Sequence, residues 1–172
     1  WVQQPKTPEQ GYHFTADMTD EAIGWTRNVR AADPDKPWFN YFSTSGVHAP
    51  HHAPIEWRTK YVGKFDHGWD KQRELTHARQ MEMGIIPKGT KLTPRPKEVP
   101  SWESQSADAK RVFTRLMENY AAYMAYTDYE IGRLVESLRE SGELDNTLLM
   151  YIVGDNGASA EGGMNGLFSE MT

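Results

Sequence analysis

The 172-residue sequence is 38% hydrophobic and 25% charged, enough apolar material for one domain core beneath a wet surface. Its net charge of -5 argues against a dedicated nucleic-acid binder, and no stretch approaches the roughly 18 apolar residues of a membrane-crossing helix. Cysteine is absent, which excludes disulfides, thiolate metal sites and a cysteine nucleophile within these residues and leaves the compartment open.

Residues 1–13 are polar, carry Pro5 and Pro8, and read as a loop. A helix follows over residues 17–30. Asp17 or Thr19 is positioned to cap its first turn, Asp20 and Glu21 suit the positive end of its dipole, and Asp33-Pro34 stops it. Residues 37–45, an aromatic run, read as a strand buried over most of its surface.

A second helix starts at Ser106 and continues to about Glu140, roughly 50 Å at about 1.5 Å per residue. Its apolar stripe includes Leu116, Met117, Tyr120, Met124 and Leu138 and is expected to pack in the core. Asp128 interrupts that stripe and is expected to tie the helix to a neighbouring loop. Residues 146–153 hold an unbroken apolar run, the pattern of a strand covered on both faces. The order helix, strand, helix, strand predicts an α/β fold with a mostly parallel sheet sandwiched between helices. The long insertion, residues 46–105, is expected to carry a helix near 70–83, an extended proline-rich part at 87–100, and mostly solvated charge at 70–74.

Two groups of residues carry chemistry. Gly46-Val-His-Ala-Pro-His-His-Ala-Pro54 places His48, His51 and His52 directly after the first expected strand, where α/β proteins bind ligands. Imidazoles held between Pro50 and Pro54 suit metal ligation or proton transfer, and an incidental polar loop is the plain alternative. Gly154-Asp-Asn-Gly157 follows the second expected strand. Asp155 and Asn156 offer adjacent hard oxygen donors, suited to Ca²⁺ or Mg²⁺ rather than Zn²⁺, and an ordinary Asp-Asn-Gly turn is the alternative.

Taken in order, several segments closely resemble the sulfatase family, of the bacterial arylsulfatase kind within the alkaline-phosphatase-like superfamily. They are His13-Phe-Thr-Ala-Asp-Met-Thr-Asp-Glu-Ala-Ile23, Lys36-Pro-Trp-Phe-Asn-Tyr-Phe42, the histidine cluster, Lys60-Tyr-Val-Gly63, Asp128-Tyr-Glu-Ile-Gly132 and the run from Asp145 to Gly157. The resemblance implies a sulfuric ester hydrolase that uses Ca²⁺, in preference to Mg²⁺, and a formylglycine nucleophile. By motif match His48 contacts the substrate and acts in catalysis near the leaving-group oxygen, while Asp155 and Asn156 are Ca²⁺ ligands.

The family's Cys/Ser-x-Pro-x-Arg motif does not occur in these residues. The chain therefore reads as the central part, residues 1–172, of a sulfatase catalytic domain, with the nucleophile segment and the C-terminal part outside it. It is expected to be inactive and poorly stable by itself. The expected partner is a small-molecule or glycan sulfate ester, with no nucleic acid and no membrane segment. Two alternatives stay open: a phosphodiesterase or phosphonate hydrolase of the same superfamily, and a catalytically dead remnant that binds a metal or a sulfated glycan.

Overall fold

Helices dominate the computed structural model, which describes residues 6–154, 157, 163 and 166. Helix α1 spans Phe14–Ala32, α2 Ile55–Thr59, α3 Gly68–Glu82 and α4 Ala107–Glu140, with short 3₁₀ turns at Pro8–Gln10 and Leu144–Asn146. The chain divides into two compact units, one built from residues 1–52 and 123–172 and the other from residues 53–122. The second unit falls within the long insertion and the first half of α4. Among the described residues, no helix is long and apolar enough to cross a membrane.

The expected parallel sheet is not found: the described residues contain no strand. Residues 37–45 and 147–153 are neither helix nor strand: a strand exists only through ladder hydrogen bonds to a neighbour, and among the described residues neither segment shows one. Burial fails with the pairing. Leu148 and Ile152 are each 84% exposed, Val153 74%, Tyr41 78% and Phe39 76%. An unbroken apolar run signals a segment that wants cover, and among the described residues these side chains stay exposed.

In the first unit α1 begins at Phe14, earlier than expected. Its cap is His13 rather than Asp17 or Thr19. Thr19 lies inside the helix, where its hydroxyl donates to the Thr15 carbonyl at 3.0 Å. Thr15, Thr19 and Thr26 form the buried face of α1. Ion pairs join Asp20 to Arg133, Arg27 to Glu140 and Arg30 to Glu143. The offset between partners is the same in all three, so α1 and the second half of α4 run parallel. Parallel neighbours cannot be joined by a tight turn, and the long crossover of residues 33–106 follows from that.

Helix α4 is capped as read: the Ala109 amide donates to the Ser106 hydroxyl at 3.2 Å. Its packed face differs from the expected apolar stripe. Ala122, Tyr123, Tyr126, Thr127, Glu130 and Leu138 are buried, whereas Leu116, Met117 and Met124 are exposed. Of the expected stripe, Leu138 is buried and Tyr120 half-buried, so it is the middle of the stripe that faces outward. Asp128 is likewise exposed, not buried.

The second unit holds α2, α3 and the first half of α4 around an aromatic cluster. Trp69 meets Trp102 edge-on at 4.8 Å and Phe113 at 5.5 Å between ring centres. Asp70 is not merely solvated: it accepts the Trp102 amide at 2.8 Å and pairs with Arg95 at 2.9 Å. Gly68 has φ +73°, and a side chain there would overlap the Trp102 indole, so this position requires glycine twice over. Glu118 is buried and accepts the Gly63 amide at 2.7 Å. The helix expected near 70–83 is present as α3. The proline-rich part, residues 87–100, carries turns at 88–89 and 97–98 and no regular structure at 91–96.

Candidate functional site

The histidine cluster forms a turn in the first unit, after residues 37–45. Its backbone closes on itself. The His48 amide donates to the Ser45 carbonyl at 2.8 Å and the His52 amide to the Pro50 carbonyl at 3.0 Å. Imidazole rings then tie down three further carbonyls. His51 Nε2 donates to Val47 at 3.1 Å, and His48 Nδ1 to Ala49 at 2.7 Å. His13, at the start of α1, donates from Nε2 to His52 at 2.6 Å.

Those bonds assign protons, because a carbonyl oxygen only accepts. His48 carries a proton on Nδ1. In His13, Nε2 donates while Nδ1 accepts the Thr15 amide at 3.2 Å, so one ring caps α1 and clamps the histidine turn together. His51 supports the turn from inside it. His48 is exposed, unlike the partly buried His51.

Helix α4 supplies the floor. The buried Tyr123 places its hydroxyl 2.8 Å from the Ser45 hydroxyl. Its ring lies 6.1 Å from His51 and 6.3 Å from His13, centre to centre. Tyr126 meets His13 edge-on at 4.6 Å. One turn on from Tyr123, Thr127 presses against Gly46: a Cβ at Gly46 would overlap the Thr127 hydroxyl and lie 3.0 Å from its Cβ. The Thr127 hydroxyl is buried and finds no hydrogen-bond partner among the described residues. Gly46 is therefore glycine because the turn has to touch the helix.

The second candidate group is less fully described. Asp155 and Asn156 lie outside the described residues. Gly157 has φ +78°, the left-handed conformation expected of a glycine closing a turn. Just before the pair, the Tyr151 hydroxyl donates to Asp128 at 3.4 Å, which is the tie to a neighbouring segment expected of Asp128. Partial desolvation, reinforced by the Asp128 carboxylate, pushes the Tyr151 hydroxyl above the ordinary phenol range. Among the described residues, no three histidine, aspartate or glutamate side chains gather as a metal cage.

The structure thus adds Ser45, Tyr123, Thr127 and His13 to the single histidine, His48, expected to act. The sequence carried a faint sign of them. Tyr123 and Thr127 are four apart, one helical turn, on a face that is neither the apolar stripe nor the charged side of α4. That His13 would cap α1 had no sign, because histidine is not a preferred capping residue.

Comparison with known proteins places these residues in context. The sulfatase family model matches residues 1–170. An arylsulfatase of Klebsiella aerogenes is 31% identical over 131 residues, which cover 76% of this chain and 28% of that protein. An uncharacterized sulfatase of Schizosaccharomyces pombe is 33% identical over 76% of the chain and 24% of its own length. An arylsulfatase of Clostridium perfringens is 27% identical over 88% of the chain and 28% of its own length. The chain spans about a quarter of the length of these curated relatives.

Proposed function

The chain belongs to the sulfatase family, and on that premise we propose that the protein containing it hydrolyses sulfate esters, with His48 acting at the leaving-group oxygen. The observation that carries this reading is the contrast among the histidines. His13 and His51 hold backbone carbonyls from partly enclosed positions, while His48 and His52 are exposed, and of these two it is His48 whose ring is fixed, with Nδ1 on the Ala49 carbonyl. A braced, exposed imidazole is arranged to meet a ligand.

In the proposed reaction the bond from sulfur to the ester oxygen breaks and its electron pair goes to that oxygen. The oxygen takes a proton from His48, the alcohol or phenol departs, and water ends up in the released sulfate. The Nδ1 proton is held by the Ala49 carbonyl, so the proton delivered is the one on Nε2 of the imidazolium. Positioned acids of this kind contribute about 10²–10⁴-fold.

The nucleophile, a formylglycine in this reading, would come from a part of the protein outside this chain and would supply the oxygen that displaces the alcohol at sulfur, with water restoring it once sulfate is released. Asp155 and Asn156 are proposed as Ca²⁺ ligands. A carboxylate and an amide oxygen are two of the roughly six to eight oxygens that Ca²⁺ takes, so the remaining donors come from elsewhere in the protein.

The test is turnover of a 4-nitrophenyl sulfate and an alkyl sulfate by the full-length, Ca²⁺-loaded protein, alongside His48→Ala. The expected result is turnover by the parent and a loss of about 10²-fold or more for His48→Ala on the alkyl ester. No sulfate ester turned over, or turnover of the corresponding phosphodiester alone, would overturn the sulfatase reading.

A further inference from the structure

We propose that Tyr123 of α4 is a positioning residue for His48, holding the histidine turn in place through the Ser45 hydroxyl and through its ring beside His51. The inference rests on the role of His48 proposed above, and goes beyond it to the machinery that sets the imidazole.

Among the anchors of the turn, the one at its entry bears directly on His48. Ser45 immediately precedes the turn, and the Ser45 carbonyl receives the His48 amide at 2.8 Å. Whatever fixes Ser45 therefore fixes the backbone of His48. The Ser45 hydroxyl lies 2.8 Å from the Tyr123 hydroxyl, and Tyr123 is buried on a 34-residue helix. A rigid aromatic side chain on a long helix is a better reference point than the turn itself, which has no regular structure.

The same ring backs the other side of the turn. It sits between His51, whose Nε2 holds the Val47 carbonyl, and His13, whose Nε2 holds the His52 carbonyl. Tyr123 thus touches both braces and the entry residue. A Phe at this position would keep the ring and release Ser45. A proton donor displaced by about 1 Å loses much of its effect, up to about 10²-fold.

A mispositioned proton donor has a signature that general weakening of the fold does not share. Esters whose alcohols are poor leaving groups depend on the donated proton, whereas 4-nitrophenolate departs nearly unaided. The experiment compares wild type, Tyr123→Phe, Ser45→Ala and the double variant in the full-length, Ca²⁺-loaded protein. Both single variants are expected to lose about tenfold in kcat on an alkyl sulfate and less than about twofold on 4-nitrophenyl sulfate. The double variant is expected to be no worse than either, because both cut one bond.

Labelling of histidines with diethyl pyrocarbonate, read by peptide mass spectrometry, supplies a readout that needs no turnover. Tyr123→Phe is expected to raise labelling of the partly buried His51 several-fold while leaving His67 and His77 of the insertion unchanged. Equal losses on both esters, or additive single variants, would overturn the proposal. Unchanged labelling overturns it whatever the turnover. Should wild type turn over no sulfate ester while labelling still responds, the sulfatase reading falls and the Tyr123 clamp stands.

Discussion

Adding one methyl group at Gly46 probes the contact that seats the histidine turn on α4. The Cβ of Gly46→Ala would overlap the Thr127 hydroxyl and stand 3.0 Å from Thr127 Cβ and 3.1 Å from its Cγ2. Thr127 is 5% exposed and sits mid-helix, so neither it nor its backbone has room to yield. Overpacking of this kind costs about 1–3 kcal/mol. Thr127→Ala is expected to be close to neutral by itself. It loses about one methyl of burial, near 0.8 kcal/mol, and removes a buried hydroxyl whose missing hydrogen bond costs a similar amount or more. The two changes are therefore expected to be strongly coupled. Thr127→Ala makes room for the new methyl group, and the double variant should recover about 1–2 kcal/mol of the Gly46→Ala loss. Urea unfolding followed by tryptophan fluorescence measures the four stabilities, and His48-dependent turnover of an alkyl sulfate follows the seat of the turn. A Gly46→Ala protein as stable as wild type, or one that Thr127→Ala fails to rescue, would refute the contact.

Glu118 offers a comparison in which magnitude separates two interactions. Its carboxylate accepts the Gly63 amide at 2.7 Å and pairs with Arg115, which is 67% exposed and so contributes little. Glu118→Ala is expected to cost about 0.5–1.5 kcal/mol by removing the hydrogen bond to the Gly63 amide, and Glu118→Gln less, as read by urea unfolding; equal losses would show that the charge matters more. Tyr151 has a raised pKa from desolvation first and Asp128 second. The neutral phenol is thus the favoured form in the fold. The associated stability is complete below about pH 10, the unfolded value, and is lost as pH rises through the higher folded value. Asp128→Asn should bring the Tyr151 titration, followed by NMR of ¹³C-labelled tyrosine, part of the way back toward that value. Last, Leu148 and Ile152 are each 84% exposed, so the isolated 172-residue chain is expected to bind the dye ANS and self-associate. Leu148→Ser with Ile152→Ser should reduce both, and unchanged dye binding would place the sticky surface elsewhere.

Local signals in the sequence determined the helices and the chemistry on offer. Ser106 capping α4, the end of that helix at Glu140, the helix in the insertion and the positive φ of Gly157 all follow from interactions within a few residues, and each is legible without a fold. So is the inventory of imidazoles in the turn and of the carboxylate and amide at Asp155 and Asn156. Tertiary structure alone decided which residues of α4 are packed, that Gly46 must touch Thr127, that His13 braces a turn 39 residues away, and that the two apolar segments read as strands are exposed and, among the described residues, unpaired. The physical reason is range. Capping and turn formation involve neighbours in the chain, whereas pairing and burial depend on what arrives from far along it, and an apolar run states a need for cover without naming the segment that meets it.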